Sequence, residues 1–158
     1  MIINLERIEI KDAEKLWAMQ VKAFEDLYNK YQDTETSPAT EKVEKINDFM
    51  RLKQSFTYYY YIVVDGVKVG AIRVVDKKEQ GKLKRISPIF IMKQYRGKGY
   101  AQEAMKAVEK IHGVNDWELD TILQEKGNCY LYEKMGYYQT GKTEIINDKL
   151  TLIFYKKD

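Results

Sequence analysis

The chain is poor in the residues that build crosslinks and soft-metal centres. It has one cysteine, Cys129, and one histidine, His112. A lone cysteine excludes an internal disulfide. The pair cannot supply the clustered Cys and His ligands of a structural zinc site, so no metal is expected, although a carboxylate-held magnesium ion is not excluded on these grounds. No apolar run approaches the roughly 20 residues of a membrane span. Charge of one sign is also lacking: 27 Lys and Arg stand against 24 Asp and Glu, for a net charge of +3. That balance describes a mixed, solvated surface rather than a nucleic-acid footprint, and no basic stripe is present. The segment Met1 to Ile10 reads as a strand carrying Glu6 and Arg7 rather than a secretory signal, which makes the cytoplasm the expected compartment.

What is there suits one globular domain over residues 1–158, with 44% hydrophobic and 32% charged residues. Ile2 to Ile10 alternates as a strand. Asp12 can cap a helix with Leu16, Met19, Ala23 and Leu27 on one face, running out near Asn29. A polar loop from Tyr31 follows, and Ser37-Pro38 reads as the N-cap and first residue of a second helix, with Val43, Ile46, Phe49 and Met50 buried. Phe56 to Val64 and Val67 to Val75 form a hairpin around Asp65-Gly66. Alternation in the run Tyr58-Tyr59-Tyr60-Tyr61 sends two rings to each face. Leu83 to Met92 is a strand in which Pro88, having no N–H, implies a bulge or an unpaired edge. A helix from Tyr100 buries Ala101, Ala104, Met105, Val108 and Ile111 and closes at Gly113. His112, near its end, is expected at the surface, interacting with the helix dipole. A strand Trp117 to Leu123, a helix from about Gly127 to Met135 and strands Tyr137 to Lys142 and Lys149 to Lys156 complete the chain. This order predicts an α/β three-layer arrangement around a mixed sheet.

Chemistry concentrates in the strand–turn–helix run Phe90 to Ala101. Arg96-Gly97-Lys98-Gly99 lets the backbone approach a ligand closely, the following helix start presents free N–H groups and a partial positive charge, and Arg96 and Lys98 add full charges. Such a cradle suits a pyrophosphate. On spacing alone, Gly97 and Gly99 fit a plain turn equally well. The dinucleotide fingerprint needs a third glycine where Gln102 stands, and the Lys-Ser/Thr pair of a P-loop is absent.

Gln94-Tyr95-Arg96-Gly97-Lys98-Gly99 resembles the Q/R-x-x-G-x-G/A signature of the GNAT superfamily of acetyl-CoA-dependent N-acetyltransferases. About 30 residues later, Leu131-Tyr132-Glu133-Lys134-Met135-Gly136-Tyr137 resembles its second hallmark, L-Y-x-K-x-G-F/Y. The resemblance implies a GNAT-like α/β/α fold whose central mixed, mostly antiparallel sheet splays between its fourth and fifth strands. It implies acetyl-CoA as cosubstrate and a small-molecule or peptide amine as acceptor, with direct transfer between them. No nucleic-acid or membrane partner is implied; a homodimer is, since family members often pair. The pyrophosphate would lie on Arg96, Gly97, Lys98, Gly99, Tyr100 and Ala101, and the pantetheine amides on the backbone of Ile91 and Met92, as an added strand.

Tyr132 matches the family tyrosine that protonates the departing CoA thiolate, a job suited to a phenol with an ordinary pKa near 10. Taken alone it would read as a packing residue. Asn128 is a candidate CoA contact or a helix N-cap; it departs from the common pattern, because the family Asn lies about seven residues before the Tyr, where Glu125 stands. Many relatives carry a Glu on the strand before the glycine loop, yet Lys84 to Phe90 contains no acid. Asp120 and Glu125 flank the other side, with a water relay or a deprotonated amine as alternatives to a base. Cys129, near a helix start, is not expected to form an acyl intermediate. Tyr28, Tyr31, Asp33 and Glu35 would suit a cationic acceptor. A non-catalytic acyl-CoA sensor or scaffold of the same fold is the alternative reading.

Overall fold

The computed structural model describes residues 3–158; Met1 and Ile2, and so the start of the expected first strand, lie outside the described residues. Seven strands make one sheet: β1 (Ile3–Arg7), β2 (Thr57–Val64), β3 (Val67–Val75), β4 (Lys84–Ile91), β5 (Trp117–Ile122), β6 (Tyr138–Ile145) and β7 (Thr151–Lys157). Their order is β1-β2-β3-β4-β5-β7-β6. Every neighbouring pair is antiparallel except β4 and β5. The helices are α1 (Ala13–Ala23), α2 (Glu25–Tyr31), α3 (Val43–Arg51), α4 (Tyr100–His112) and α5 (Lys126–Lys134).

The hairpin β2–β3 turns on Asp65 and Gly66, both at positive φ (49° and 78°), as a tight two-residue turn requires. Alternation in β2 serves both faces of the sheet. Tyr60, Ile62 and Val64 join Ala104, Met105, Val108, Trp117 and Tyr132 in a core beneath α4 and α5. Tyr59 and Tyr61 join Leu16, Ala23, Ile46 and Phe90 in a second core under α1 and α3. A third cluster packs Tyr31 against Leu150 and Leu152. The result is the expected helix–sheet–helix layering, with the two rings per face that the tyrosine run requires.

Four local expectations need correction. The first strand ends at Arg7, and Ile10–Asp12 form a 3-10 turn in which Asp12 makes no side-chain cap. The long first helix breaks at Phe24 and resumes as α2, which extends to a buried Tyr31. Ser37 does cap, accepting from Ala39 N at 3.1 Å, but over the 3-10 turn Pro38–Thr40; the second helix proper starts at Val43. Ile111 is 56% exposed rather than buried.

His112 is also corrected. Its side chain is buried, with Nδ1 2.7 Å from Asp76 Oδ2 and Nε2 2.9 Å from the Tyr60 hydroxyl. Sequence reasoning had no means of seeing Asp76, which comes from the end of β3.

The sheet opens between β4 and β5. β4 and β5 pair only at Lys84–Trp117 and Arg85–Glu118. Pro88, with no N–H to give, sits at a bulge where the β3–β4 register slips between Ile72 and Val74. Gly70 keeps β3 against the C-terminal end of β4, since a Cβ there would collide with Phe90 O.

Candidate active site

Beyond Arg85 and Glu118 the two parallel strands part, and a cleft of about 160 Å³ opens between them. Ser87, Pro88 and Ile89 of β4 form one side, and Asp120 to Ile122 of β5 the other. Tyr132 and Asn128 of α5 face it from the same cleft, as do Phe24 and Tyr28 at the α1–α2 break and Asp33 beyond α2. Tyr132 is about 7% exposed, packs edge-on to Tyr137, and its hydroxyl makes no hydrogen bond with a described residue. Burial pushes the Tyr132 phenol up to about 12. It therefore holds its proton at neutral pH, next to the gap between the strands.

At the end of β4 the chain forms a single 3-10 turn, Lys93–Tyr95, then the glycine loop, then α4. Gly97 and Gly99 stand at φ 79° and 81°, a region that side chains disfavour. A Cβ on either would meet open space. Arg96 N donates to Lys93 O, and Glu103 N donates to Gly99 O. Between them, the N–H groups of residues 97–102 find no acceptor among the described residues. A row of free donors at the start of a 13-residue helix is an arrangement that attracts anions.

The side chains of the loop divide their work. Lys98 is exposed beside the free N–H groups. The Arg96 guanidinium turns inward instead, donating to Ile91 O at 2.8 Å and Ala23 O at 2.7 Å. Met92 N donates to Val69 O on β3, so by strand alternation the Ile91 N–H faces the splay. Tyr100 and Ala101 open α4, half-buried.

The two acids that line the cleft, Asp33 and Asp120, and Glu125 just before α5 are already partnered. Asp120 is ion-paired with Arg85. Glu125 accepts from Lys30 Nζ at 2.8 Å and from the Tyr31 hydroxyl, and these two donors hold its carboxyl below the usual range. Asp33 accepts from the N–H groups of Glu35 and Thr36, both at 2.9 Å, which folds the loop after α2. Asn128 lies within α5 rather than capping it; the residue before the helix is Glu125. Cys129 is buried. Among the described residues, no group of three or more His, Cys, Asp or Glu could hold a metal ion. None of their helices is long and apolar enough to cross a membrane.

A model of the Acetyltransferase (GNAT) family matches residues 21–137, which include the glycine loop, the splay and most of the cleft wall. The chain belongs to this family. Among solved structures it is similar to a spermidine N-acetyltransferase from Vibrio cholerae in complex with CoA and spermine, with TM-score 0.74, 14% identity and coverage of 97% of this chain and 93% of that one. It is also similar to AAC(6')-Ib in complex with ribostamycin and coenzyme A, with TM-score 0.72, 14% identity and coverage of 99% and 94%. A third is the PaiA N-acetyltransferase from Thermoplasma acidophilum in complex with coenzyme A, with TM-score 0.65, 15% identity and coverage of 100% of both chains. At such identities the likeness is one of fold. No curated protein matches the chain by sequence.

Sequence reasoning missed Arg85, which holds Asp120, and Leu150 and Leu152, which close the cleft from β7 and the turn before it. Only the apolar alternation of the last strand hinted at the two leucines, and it reads as ordinary core.

Proposed function

We propose that the chain, acting as one GNAT domain, is an N-acetyltransferase that moves an acetyl group from acetyl-CoA directly to a primary amine. What supports this is Tyr132 in the cleft between β4 and β5, together with the open glycine loop that follows β4 and starts α4. Acetyl-CoA bound there would supply the acetyl group as a thioester. The N–H groups of Gly97, Lys98, Gly99, Tyr100 and Ala101 would hold its pyrophosphate, with Lys98 adding charge and Arg96 contributing backbone and loop shape. The backbone of Ile91 and Met92 and the side chain of Asn128 would line the pantetheine.

Tyr132 keeps a proton on its hydroxyl at neutral pH and is the group to give it to a departing thiolate, so the proton lost by the amine is balanced by one gained at sulfur. No free carboxylate faces the amine's side of the cleft. An amine that arrives deprotonated, or loses its proton through water, fits that arrangement. Phe24, Tyr28 and Leu27 give the acceptor an apolar and aromatic wall, and Asp33, hydrogen-bonded but without a cationic partner among the described residues, gives it negative charge, which suits a cationic amine with an apolar body. The spermine and ribostamycin of the similar structures are amines of cationic character, which agrees with this reading.

The test is release of free thiol from acetyl-CoA with and without a panel of polyamines, aminoglycosides and amino-terminal peptides. Amine-dependent release with a matching acetylated product is expected. CoA binding without turnover on any amine would favour a sensor or scaffold instead.

A further inference from the structure

A second and larger hollow, of about 590 Å³, lies at the opposite end of α4 from the glycine loop. Gly99 precedes that helix and His112 ends it, so about 20 Å of helix separates the two places. The hollow gathers the end of β1, the start of β2, the β3–β4 loop and the start of β4. Its rim carries four cations, Arg7, Lys78, Lys82 and Lys84, none of them in an ion pair with a described residue.

Three of these cations are held in place without losing their charge. The Arg7 guanidinium lies 4.5 Å from the centre of the Tyr58 ring, and the Lys78 ammonium 5.2 Å from the same ring. Lys84 sits 5.1 Å from the Trp117 ring and donates to Asn115 O at 2.7 Å. Aromatic faces and a carbonyl position a cation but do not neutralise it. Two acids oppose the four cations. Glu79 is exposed on the rim. Asp76 is buried and occupied by the His112 ring and the Lys78 N–H, at 2.7 and 2.8 Å. The Asp76–His112–Tyr60 chain makes a fixed polar floor, and two positive charges remain in excess above it.

We propose that this hollow is a binding site for a phosphate group carried by a small molecule, separate from the acetyl-transfer cleft. A dianionic phosphate matches the excess charge, and Arg7 offers a fork of N–H donors to it. The volume is that of an ordinary small-molecule pocket, and the half-buried Tyr58 ring keeps Arg7 and Lys78 close together on its rim.

The test is calorimetric titration of AMP, ribose 5-phosphate and inorganic phosphate into the full chain free of CoA, with Lys98→Ala as the control for binding at the glycine loop. Saturable binding of at least one of them is expected, weakening as salt is raised. Arg7→Gln and Lys78→Ala, both exposed and outside the cores, should each weaken it by about tenfold or more while thiol release from acetyl-CoA is unchanged. Tighter binding of AMP than of phosphate identifies a nucleotide; equal binding identifies the phosphate group as all that is read. No saturable heat with any of the three, or wild-type affinity in both variants, overturns the proposal.

Discussion

Arg96 donates to the carbonyl oxygen of Ala23 at 2.7 Å, which ties the glycine loop to the last turn of α1. Its Nε holds Ile91 O at the end of β4. One guanidinium thus joins the loop, the strand before it and the helix break that walls the cleft. Arg96→Met should leave two carbonyls without partners, at about 1–3 kcal/mol for a group that stays buried, and lower Tm by about 2–12 °C. Lysine at this position should rescue little, because it cannot reach both carbonyls in one plane. Equal Tm for wild type and Arg96→Met would show that the tie is idle.

Gly97→Asp and Gly99→Asp should each raise the Kd for CoA by at least tenfold, about 1.4 kcal/mol. The left-handed φ makes either substitution cost about 1–2 kcal/mol in the fold, and Asp bears it better than most residues. The carboxylate would stand in the open space that a Cβ enters at both positions. Calorimetry on folded variants decides it: unchanged affinity would mean that the loop is a plain turn.

Local signals carried much of this architecture. Asp65-Gly66, the alternation of β2 and β3, and Pro88 locate the hairpin and the bulge from residues adjacent in sequence. The glycine loop and the Tyr132 helix were legible because each is a contiguous motif. Long-range pairings left no such trace. Nothing in the sequence links Asp76 to His112, 36 residues away, or Glu125 to Tyr31, 94 residues away. Helix breaks were also hidden, since the apolar spacing of Leu16, Ala23 and Leu27 continues across the break at Phe24. The inward turn of Arg96 was hidden too: an arginine in a glycine loop reads as charge offered to a ligand, and nothing local in the sequence shows that its guanidinium donates to Ile91 O and Ala23 O.

The His112–Asp76 pair should make stability fall with acid. Burial lowers the His112 pKa, outweighing the carboxylate beside it. Burial alone would raise the Asp76 carboxyl, but hydrogen bonds from His112 and the Lys78 N–H outweigh it and hold it below the usual range. The unfolded chain therefore takes up a proton on histidine near pH 6.5 while the folded chain still resists it. Stability from neutral His112 is full above that pH and is lost as pH falls through the lowered folded value; the Asp76 share follows at lower pH. Tm should thus drop between about pH 7 and pH 5, and His112→Gln should start lower but flatten that slope. Parallel Tm curves for the two proteins would remove His112 as the cause.

Tyr132→Phe separates chemistry from packing. The ring fills a core with Tyr137 and Tyr155, and phenylalanine keeps that contact while losing a hydroxyl with no partner among the described residues. Folding stability should therefore change by less than about 1 kcal/mol. A general acid is worth about 10²–10⁴-fold, so kcat should fall at least tenfold even if water replaces the phenol in part, and the Kd for CoA should stay within about 1 kcal/mol of wild type. An amine that turns over must first be found in the thiol-release panel. Full kcat in a folded Tyr132→Phe variant would make Tyr132 a packing residue and leave the thiolate to be protonated by solvent.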